Sequence, residues 1–86
     1  MNAAQDAQEF VNLLAEKLPP VLARKHVERA LGGIVAVQTL TNADNQGTGP
    51  EVAYRLGRSV VYRTDSLLGW LVERFGVRRI ANLKTL

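Results

Sequence analysis

The chain has 86 residues, of which 47% are hydrophobic and 22% are charged, and its formal net charge is +3. This length allows one domain, and this composition is typical of a folded protein rather than a disordered one. The absence of cysteine excludes disulfides and thiolate metal sites, and no apolar run approaches the roughly 20 residues that cross a membrane. Residues 1–9 do not resemble a signal peptide, so we expect a cytoplasmic protein without a membrane partner.

Three helices are predicted in the first half of the chain. Ala3 to Leu18 contains no Gly or Pro, and its apolar residues fall near one helical face. Val21-Leu22 follows as a short extended segment. Arg24 to Leu31 predicts a second helix, which a glycine pair ends, and Ala36 to Gln46 predicts a third.

The second half of the chain predicts a β-hairpin and a fourth helix. Val52 to Leu56 and Val60 to Arg63 alternate with a two-residue period, and Gly57-Arg58-Ser59 between them is typical of a turn. Thr64 is a favourable N-cap for a helix from Asp65 to Phe75.

These elements give a fold class that is mainly α with a small β-hairpin. The aromatic residues Tyr54, Tyr62 and Trp70 are assigned to the core of the hairpin and the fourth helix. We divide the chain into an N-terminal helix at residues 1–20, a central domain at residues 21–76 and a basic C-terminal tail at residues 77–86.

The third predicted helix has a polar face without positive charge. Asn and Gln bond adenine through two contacts in the major groove, and Thr contacts the thymine methyl group. An ordinary solvent-exposed helix face has the same residue types, so this alternative stays open. Asp44 falls on the inward edge, and we expect it to pair with Arg24 or Arg29. The candidate base-reading residues are Gln38, Thr39, Thr41, Asn42 and Asn45.

Positive charge is concentrated after the first helix. Residues 23–86 contain ten Lys or Arg and five Asp or Glu, whereas residues 1–22 carry a net charge of −2. Basic surfaces gain affinity for DNA by releasing counterions from phosphates. The alternatives are ordinary surface charge and charges that protect an edge strand. The candidate phosphate contacts are Arg24 and Lys25 at the start of the second helix, and Arg55, Arg58 and Arg63 around the hairpin turn.

The sequence contains no pattern typical of catalysis or metal binding. His26 is the only histidine, and there is no cysteine to pair with it. The carboxylates are scattered, and Gly47-Thr48-Gly49-Pro50 lacks the lysine and the strand-to-helix context of a phosphate loop. We therefore expect no enzyme activity, no cofactor and no metal.

A series of short motifs runs from residue 22 to residue 73, about 52 of the 86 residues. In order, the motifs are Val27–Leu31, Gly32-Gly33, Thr39-Leu40, Gly47-Thr48-Gly49-Pro50, Leu56-Gly57-Arg58 with Tyr62-Arg63, and Leu67 with Trp70-Leu71. Their order and spacing resemble those of small excisionase and AlpA-like proteins, which are winged helix-turn-helix DNA-binding proteins of the MerR-like superfamily.

The resemblance implies a winged helix-turn-helix fold with an extra N-terminal helix. The third helix would lie in the major groove, and Arg58 would lie in a wing that reaches the minor groove or the backbone. Many relatives have Ser or Thr in place of Ala36, so the third helix lacks its usual N-cap. The base-reading residues carried over from the family are Gln38, Thr39, Thr41 and Asn42.

Two roles follow from the resemblance. One is a phage or mobile-element excisionase, a recombination directionality factor that partners an integrase or recombinase. The other is a small transcription regulator. Either protein would bind double-stranded DNA at the nucleoid. Some phage terminase small subunits carry a similar domain, so DNA packaging is a further alternative. A last alternative is a protein-interaction module that keeps the winged-helix fold without DNA binding and contacts either a partner protein or a second copy of itself, with the N-terminal helix as the candidate contact.

Overall fold

The structure, a computed structural model, describes residues 3–80 of the chain. In chain order its elements are α1 (Ala3–Ala15), β1 (Val21–Ala23), α2 (Arg24–Ala30), α3 (Val37–Asn45), β2 (Ala53–Leu56), β3 (Ser59–Arg63) and α4 (Thr64–Phe75). The four predicted helices and the predicted hairpin are confirmed, with ends that differ by a few residues. The predicted basic tail continues into residues 81–86, which lie outside the described residues.

The segment after α1 is a strand, whereas the sequence predicts only an extended segment there. The sheet is three-stranded and antiparallel, in the order β1-β3-β2, so the predicted two-stranded hairpin is part of a larger sheet. Val21 pairs with Arg63, and Leu22 pairs with Tyr62. A strand of three residues is too short to show a two-residue period, and its partner lies in the other half of the chain. The third strand supports a hairpin that would be marginal alone.

One cluster of buried apolar side chains joins the sheet to α2, α3 and α4. Its members are Leu22, Val27, Leu31, Val35, Leu40, Ala43, Tyr62, Leu67, Leu68, Trp70 and Leu71. Val11, Leu14 and Leu18 pack against this cluster, so the apolar face of the first helical segment is directed at its own chain. Leu13 is 65% exposed, and self-association through α1 stays a prediction.

Thr64 does not cap α4, contrary to the prediction. Arg63 occupies the N-cap position, without a side-chain capping bond. The Thr64 hydroxyl donates to the carbonyl of Pro19, and its backbone N–H donates to the carbonyl of Pro20. The pairing of β1 with β3 brings residues 19 and 20 beside Thr64, so acceptors distant in sequence take the place of a local capping contact.

Tyr54 is 56% exposed, although the sequence assigns it to the core. The hairpin turn begins at Gly57, whose φ of +64° is typical of the first position of a type II′ turn. This turn sets a register in which Tyr54 is opposite Val61. Opposed residues share a face of the sheet and neighbours alternate, so Tyr54 lies on the face opposite the buried Tyr62. The assignment of Tyr62 and Trp70 to the core is confirmed.

The loop between α3 and β2 is joined to α4 by two hydrogen bonds. The indole Nε1 of Trp70 donates to the carbonyl of Thr48 at 2.7 Å. The backbone N–H of Val52 donates to Oγ of Ser66 at 2.9 Å. Because both ends of the loop are fixed to one helix, the hairpin keeps a defined position relative to α3.

The carboxylate of Asp44 connects α3 to three other parts of the fold. It accepts a hydrogen bond from Nη1 of Arg24 at 2.9 Å and another from the hydroxyl of Tyr62. The expected pairing of Asp44 with Arg24 is confirmed. A Cβ atom at residue 49 would lie 3.0 Å from Cγ of Asp44 and closer still to one carboxylate oxygen, so Gly49 is required for this close approach. The side chain of Asp44 therefore links α2, α3, β3 and the loop that follows α3.

We expect Asp44→Ala to lower the free energy of unfolding by about 2–3 kcal/mol, because hydrogen bonds to a charged group are worth about 1.5–3 kcal/mol. Urea unfolding measures this. The matched control is Asp65→Ala, which removes the exposed Arg63–Asp65 ion pair and should cost less than about 1 kcal/mol. Equal losses in the two variants would contradict the role of Asp44.

Stability should fall as the pH rises above about 10, the ordinary pKa of tyrosine. Burial of Tyr62, and then its hydrogen bond to Asp44, raise the pKa of its hydroxyl in the folded state. Above pH 10 the unfolded chain ionises at this residue before the folded protein does, so unfolding becomes more favourable. Tyr62→Phe cannot ionise there. Urea unfolding from pH 8 to 11 measures the free energy of unfolding of both proteins. The difference between the wild type and this variant should stay constant below pH 10 and become smaller above it. A difference that stays constant to pH 11 would contradict the pKa shift.

Candidate nucleic-acid interface

The N-terminus of α3 is capped by a residue of α2. Ala36 occupies the N-cap position and makes no side-chain capping bond, as the sequence predicts. Oε1 of Glu28 accepts a hydrogen bond from the backbone N–H of Val37 at 3.1 Å. A carboxylate at this position satisfies an otherwise free N–H and interacts favourably with the helix dipole. Glu28 therefore fixes the start of α3 relative to α2.

Four candidate base-reading residues form the polar face of α3: Gln38, Thr41, Asn42 and Asn45. All are exposed except Thr41, which is half-buried. Nε2 of Gln38 donates to Oδ1 of Asn42 at 2.8 Å. The hydroxyl of Thr41 donates to the carbonyl of Val37 at 3.1 Å. The polar face therefore presents amide groups and lone pairs, and it contains no cation.

Two adjoining surface hollows lie between α3 and the hairpin, and we call them together the cleft. The first is lined by Arg24, Lys25, Val37, Thr41, Arg58, Ser59 and Val60. The second is lined by Arg24, Asp44, Asn45, Ala53, Tyr54, Arg55 and Val60. The cleft brings together six of the ten predicted site residues, from α2, α3, β2 and the hairpin turn.

The cations of the cleft fall into two groups. Arg24 is paired with Asp44, and both side chains are about three-quarters buried, with 25% and 21% exposed. Burial lowers the pKa of the Arg24 guanidinium, but the hydrogen bond to Asp44 and the nearby Tyr62 outweigh this and raise it. Lys25, Arg55 and Arg58 are exposed and form no ion pair with any residue from 3 to 80. These three cations are available to an anionic ligand.

Four predicted site residues do not line either hollow. Gln38 and Asn42 are on the exposed side of α3, next to the cleft residues Thr41 and Asn45. Thr39 is separated from Thr41 by about 160° around the helix axis and is half-buried. Arg63 is at the far end of β3 from the hairpin turn, where it pairs with Asp65 at 2.9 Å. Thr39 and Arg63 are therefore apart from the other candidates.

The cleft also contains six residues outside the predicted site: Val37, Asp44, Ala53, Tyr54, Ser59 and Val60. The sequence assigns Tyr54 to the core, and Ser59 and Val60 to the turn and the return strand. The hairpin register places Val60 opposite Arg55, on the same face of the sheet as Tyr62, whereas Tyr54 and Ser59 belong to the other face and also border the hollows. The length of the turn is the sequence signal for this register. The predicted turn includes Ser59 and has three residues. A two-residue turn at Gly57-Arg58 gives the observed register, in which Leu56 pairs with Ser59.

No group of three His, Cys, Asp or Glu residues in the described part of the chain could hold a metal ion. His26, the only histidine, is exposed on α2. None of the four helices is long and apolar enough to cross a membrane. No protein-family model, curated protein or solved structure matches the chain. The resemblance to excisionases stays a prediction from its motifs.

The two neighbouring cations at the start of α2 should differ in their effect on stability. Arg24→Ala leaves the largely buried Asp44 without its ion-pair partner and should lower the free energy of unfolding by about 1–2 kcal/mol. Lys25→Ala removes an exposed side chain and should change it by less than about 0.5 kcal/mol. Thermal unfolding of the two variants measures the difference. A larger loss for Lys25→Ala would show that Lys25 has a structural role.

Proposed function

We propose that this chain binds double-stranded DNA as a winged helix-turn-helix protein. In this proposal α2 and α3 form the helix-turn-helix, and the β2–β3 hairpin forms the wing. The observation that carries it is the cleft, in which Lys25, Arg55 and Arg58, unpaired among residues 3–80, lie beside the neutral polar face of α3. Duplex DNA has the complementary arrangement, because hydrogen-bonding base edges lie between two phosphate backbones.

The size of α3 is compatible with the major groove. An α-helix with its side chains is about 10–12 Å across, and the groove is about 12 Å wide. The polar face would be directed at the base edges, and its amide groups match their donors and acceptors. Glu28, which caps the N-terminus of α3, would hold the helix in a fixed orientation relative to α2 during binding.

The cations would contact phosphates beside α3, on the side of the cleft. Lys25 is at the start of α2, and Arg58 is at the hairpin turn, which the proposal places against the backbone or the minor groove. Each phosphate neutralised contributes about −0.9 to the slope of log affinity against log salt. Three contacts therefore correspond to a slope of about −2.7, which is a modest electrostatic contribution.

The role that best fits the sequence motifs is that of an excisionase or a small transcription regulator. An excisionase would act with an integrase or recombinase at a mobile-element attachment site, and either protein would be found with the nucleoid. DNA packaging in the manner of a terminase small subunit uses the same kind of interface. These roles differ in the DNA that is bound and in the enzyme that is recruited.

Arg58→Ala should weaken DNA binding and make the salt slope shallower by about 0.9, which corresponds to one lost phosphate contact. The matched control is Arg63→Ala, because Arg63 belongs to the same hairpin but pairs with Asp65 away from the cleft. Fluorescence anisotropy with a labelled duplex, at salt concentrations from about 50 to 200 mM, measures both variants. Equal changes in the affinity and the salt slope of the two variants would show that the cleft is not part of the interface.

A second candidate function, a protein-interaction module, is favoured by the outer face of the sheet. This face is opposite the buried Tyr62, and three of its apolar residues are solvent-exposed: Val21 at 47%, Tyr54 at 56% and Leu56 at 72%. Exposed apolar patches of this kind mark interaction surfaces. The same anisotropy measurement separates the two functions, since an interaction module alone would bind no duplex even at low salt.

A further inference from the structure

The amides of Gln38 and Asn42 are joined on the exposed side of α3. Nε2 of Gln38 donates to Oδ1 of Asn42 at 2.8 Å, and the two residues are four positions apart. Side chains at this spacing lie one above the other on a helix. Both are exposed, so the pair can contact a ligand without a change in the fold.

The hydrogen bond determines which way the Gln38 amide faces. One of its two amide hydrogens is used by Asn42, which leaves one N–H and the carbonyl oxygen Oε1 for a ligand. A reversal of the Gln38 amide alone would place Oε1 against Oδ1 of Asn42, with two acceptors facing each other. In this arrangement Gln38 presents one donor and one acceptor to a ligand.

This donor and acceptor are complementary to the major-groove edge of adenine. Adenine presents N7 as an acceptor and the N6 amino group as a donor, and glutamine makes two contacts with this pair. Guanine presents two acceptors, N7 and O6, and would set O6 against Oε1 of Gln38.

The rest of the polar face does not favour guanine. The side chains that most often read guanine are Arg and Lys, and no residue from Val37 to Asn45 is either of them. The hydroxyl of Thr41 donates to the carbonyl of Val37, so toward a ligand it offers only its lone pairs and its methyl group.

We propose that Gln38 and Asn42 act as one unit that selects adenine at one position of the bound duplex. Gln38 contacts the base, and Asn42 is a positioning residue that sets the orientation of the Gln38 amide. This inference rests on the proposed DNA-binding function, which it extends to a residue-level specificity.

The first experiment is selection of bound sequences from a randomised duplex pool, followed by sequencing. The full-length wild type should enrich a motif with adenine at one position. Gln38→Ala and Asn42→Ala should both lose the preference at that same position and keep the rest of the motif. Gln38→Glu should shift the preference there to cytosine, because a carboxylate accepts from the cytosine N4 amino group. Gln46→Ala is the matched control, since Gln46 is an exposed glutamine just after α3, and it should leave the motif unchanged.

The second experiment tests the atom that Gln38 contacts. The selected duplex is made with 7-deazaadenine at that position, which removes the N7 acceptor and keeps the N6 amino group. Wild-type affinity should fall about tenfold, within the range expected for the loss of a base contact. Gln38→Ala should bind the modified and unmodified duplexes equally. Thermal unfolding of the variants confirms that the fold is unchanged.

The possible failures are distinguishable. If Asn42→Ala relaxes a different position from Gln38→Ala, then Asn42 reads its own base and the positioning role is overturned. If a motif is enriched without a Gln38-dependent adenine, this inference is overturned and the proposed DNA binding stands. If the wild type enriches no sequence and binds no duplex at low salt, both are overturned.

Discussion

The carboxylate of Asp44 is the interaction on which the position of α3 depends. Apolar packing through Leu40 and Ala43 holds this helix against the core, but apolar contacts are not directional. The hydrogen bonds from Arg24 and Tyr62 are directional and fix the rotation of α3 relative to α2 and the central strand. The close approach of Gly49 brings the following loop to the same carboxylate. A helix that presents a polar face to a ligand needs this kind of fixed orientation.

The fold separates the charges that stabilise it from those left free for binding. Arg24 is held by Asp44, and Arg63 is held by Asp65. Lys25, Arg55 and Arg58 are exposed in or beside the cleft without an ion-pair partner among the described residues. Net charge alone does not distinguish these groups. A basic chain of this size can therefore offer a local anion-binding surface although its overall charge is only +3.

The polar face of α3 is ordered by contacts within the chain. Glu28 holds its first turn, and Gln38 and Asn42 hold each other. Side chains that are already oriented lose less conformational entropy when they bind than side chains that are free to rotate. In the proposed function, α3 would supply selectivity by hydrogen bonding, and the cations of the cleft would supply most of the affinity.

The sequence by itself determined the four helices and the hairpin, because helix-ending residues and apolar periodicity act over a few neighbouring positions. It also indicated the polar face of α3 and a pairing of Asp44 with Arg24 or Arg29, of which the structure shows Arg24. The exposure of Tyr54 follows from a local feature, the two-residue turn that sets the hairpin register. Only the structure shows that, among residues 3–80, Arg63 pairs with Asp65 and Arg58 pairs with no acid. Tertiary structure alone decided the strand β1 and the contacts of Thr64, because the pairing of β1 with β3 and the hydrogen bonds of Thr64 to Pro19 and Pro20 bring together residues that are distant in sequence.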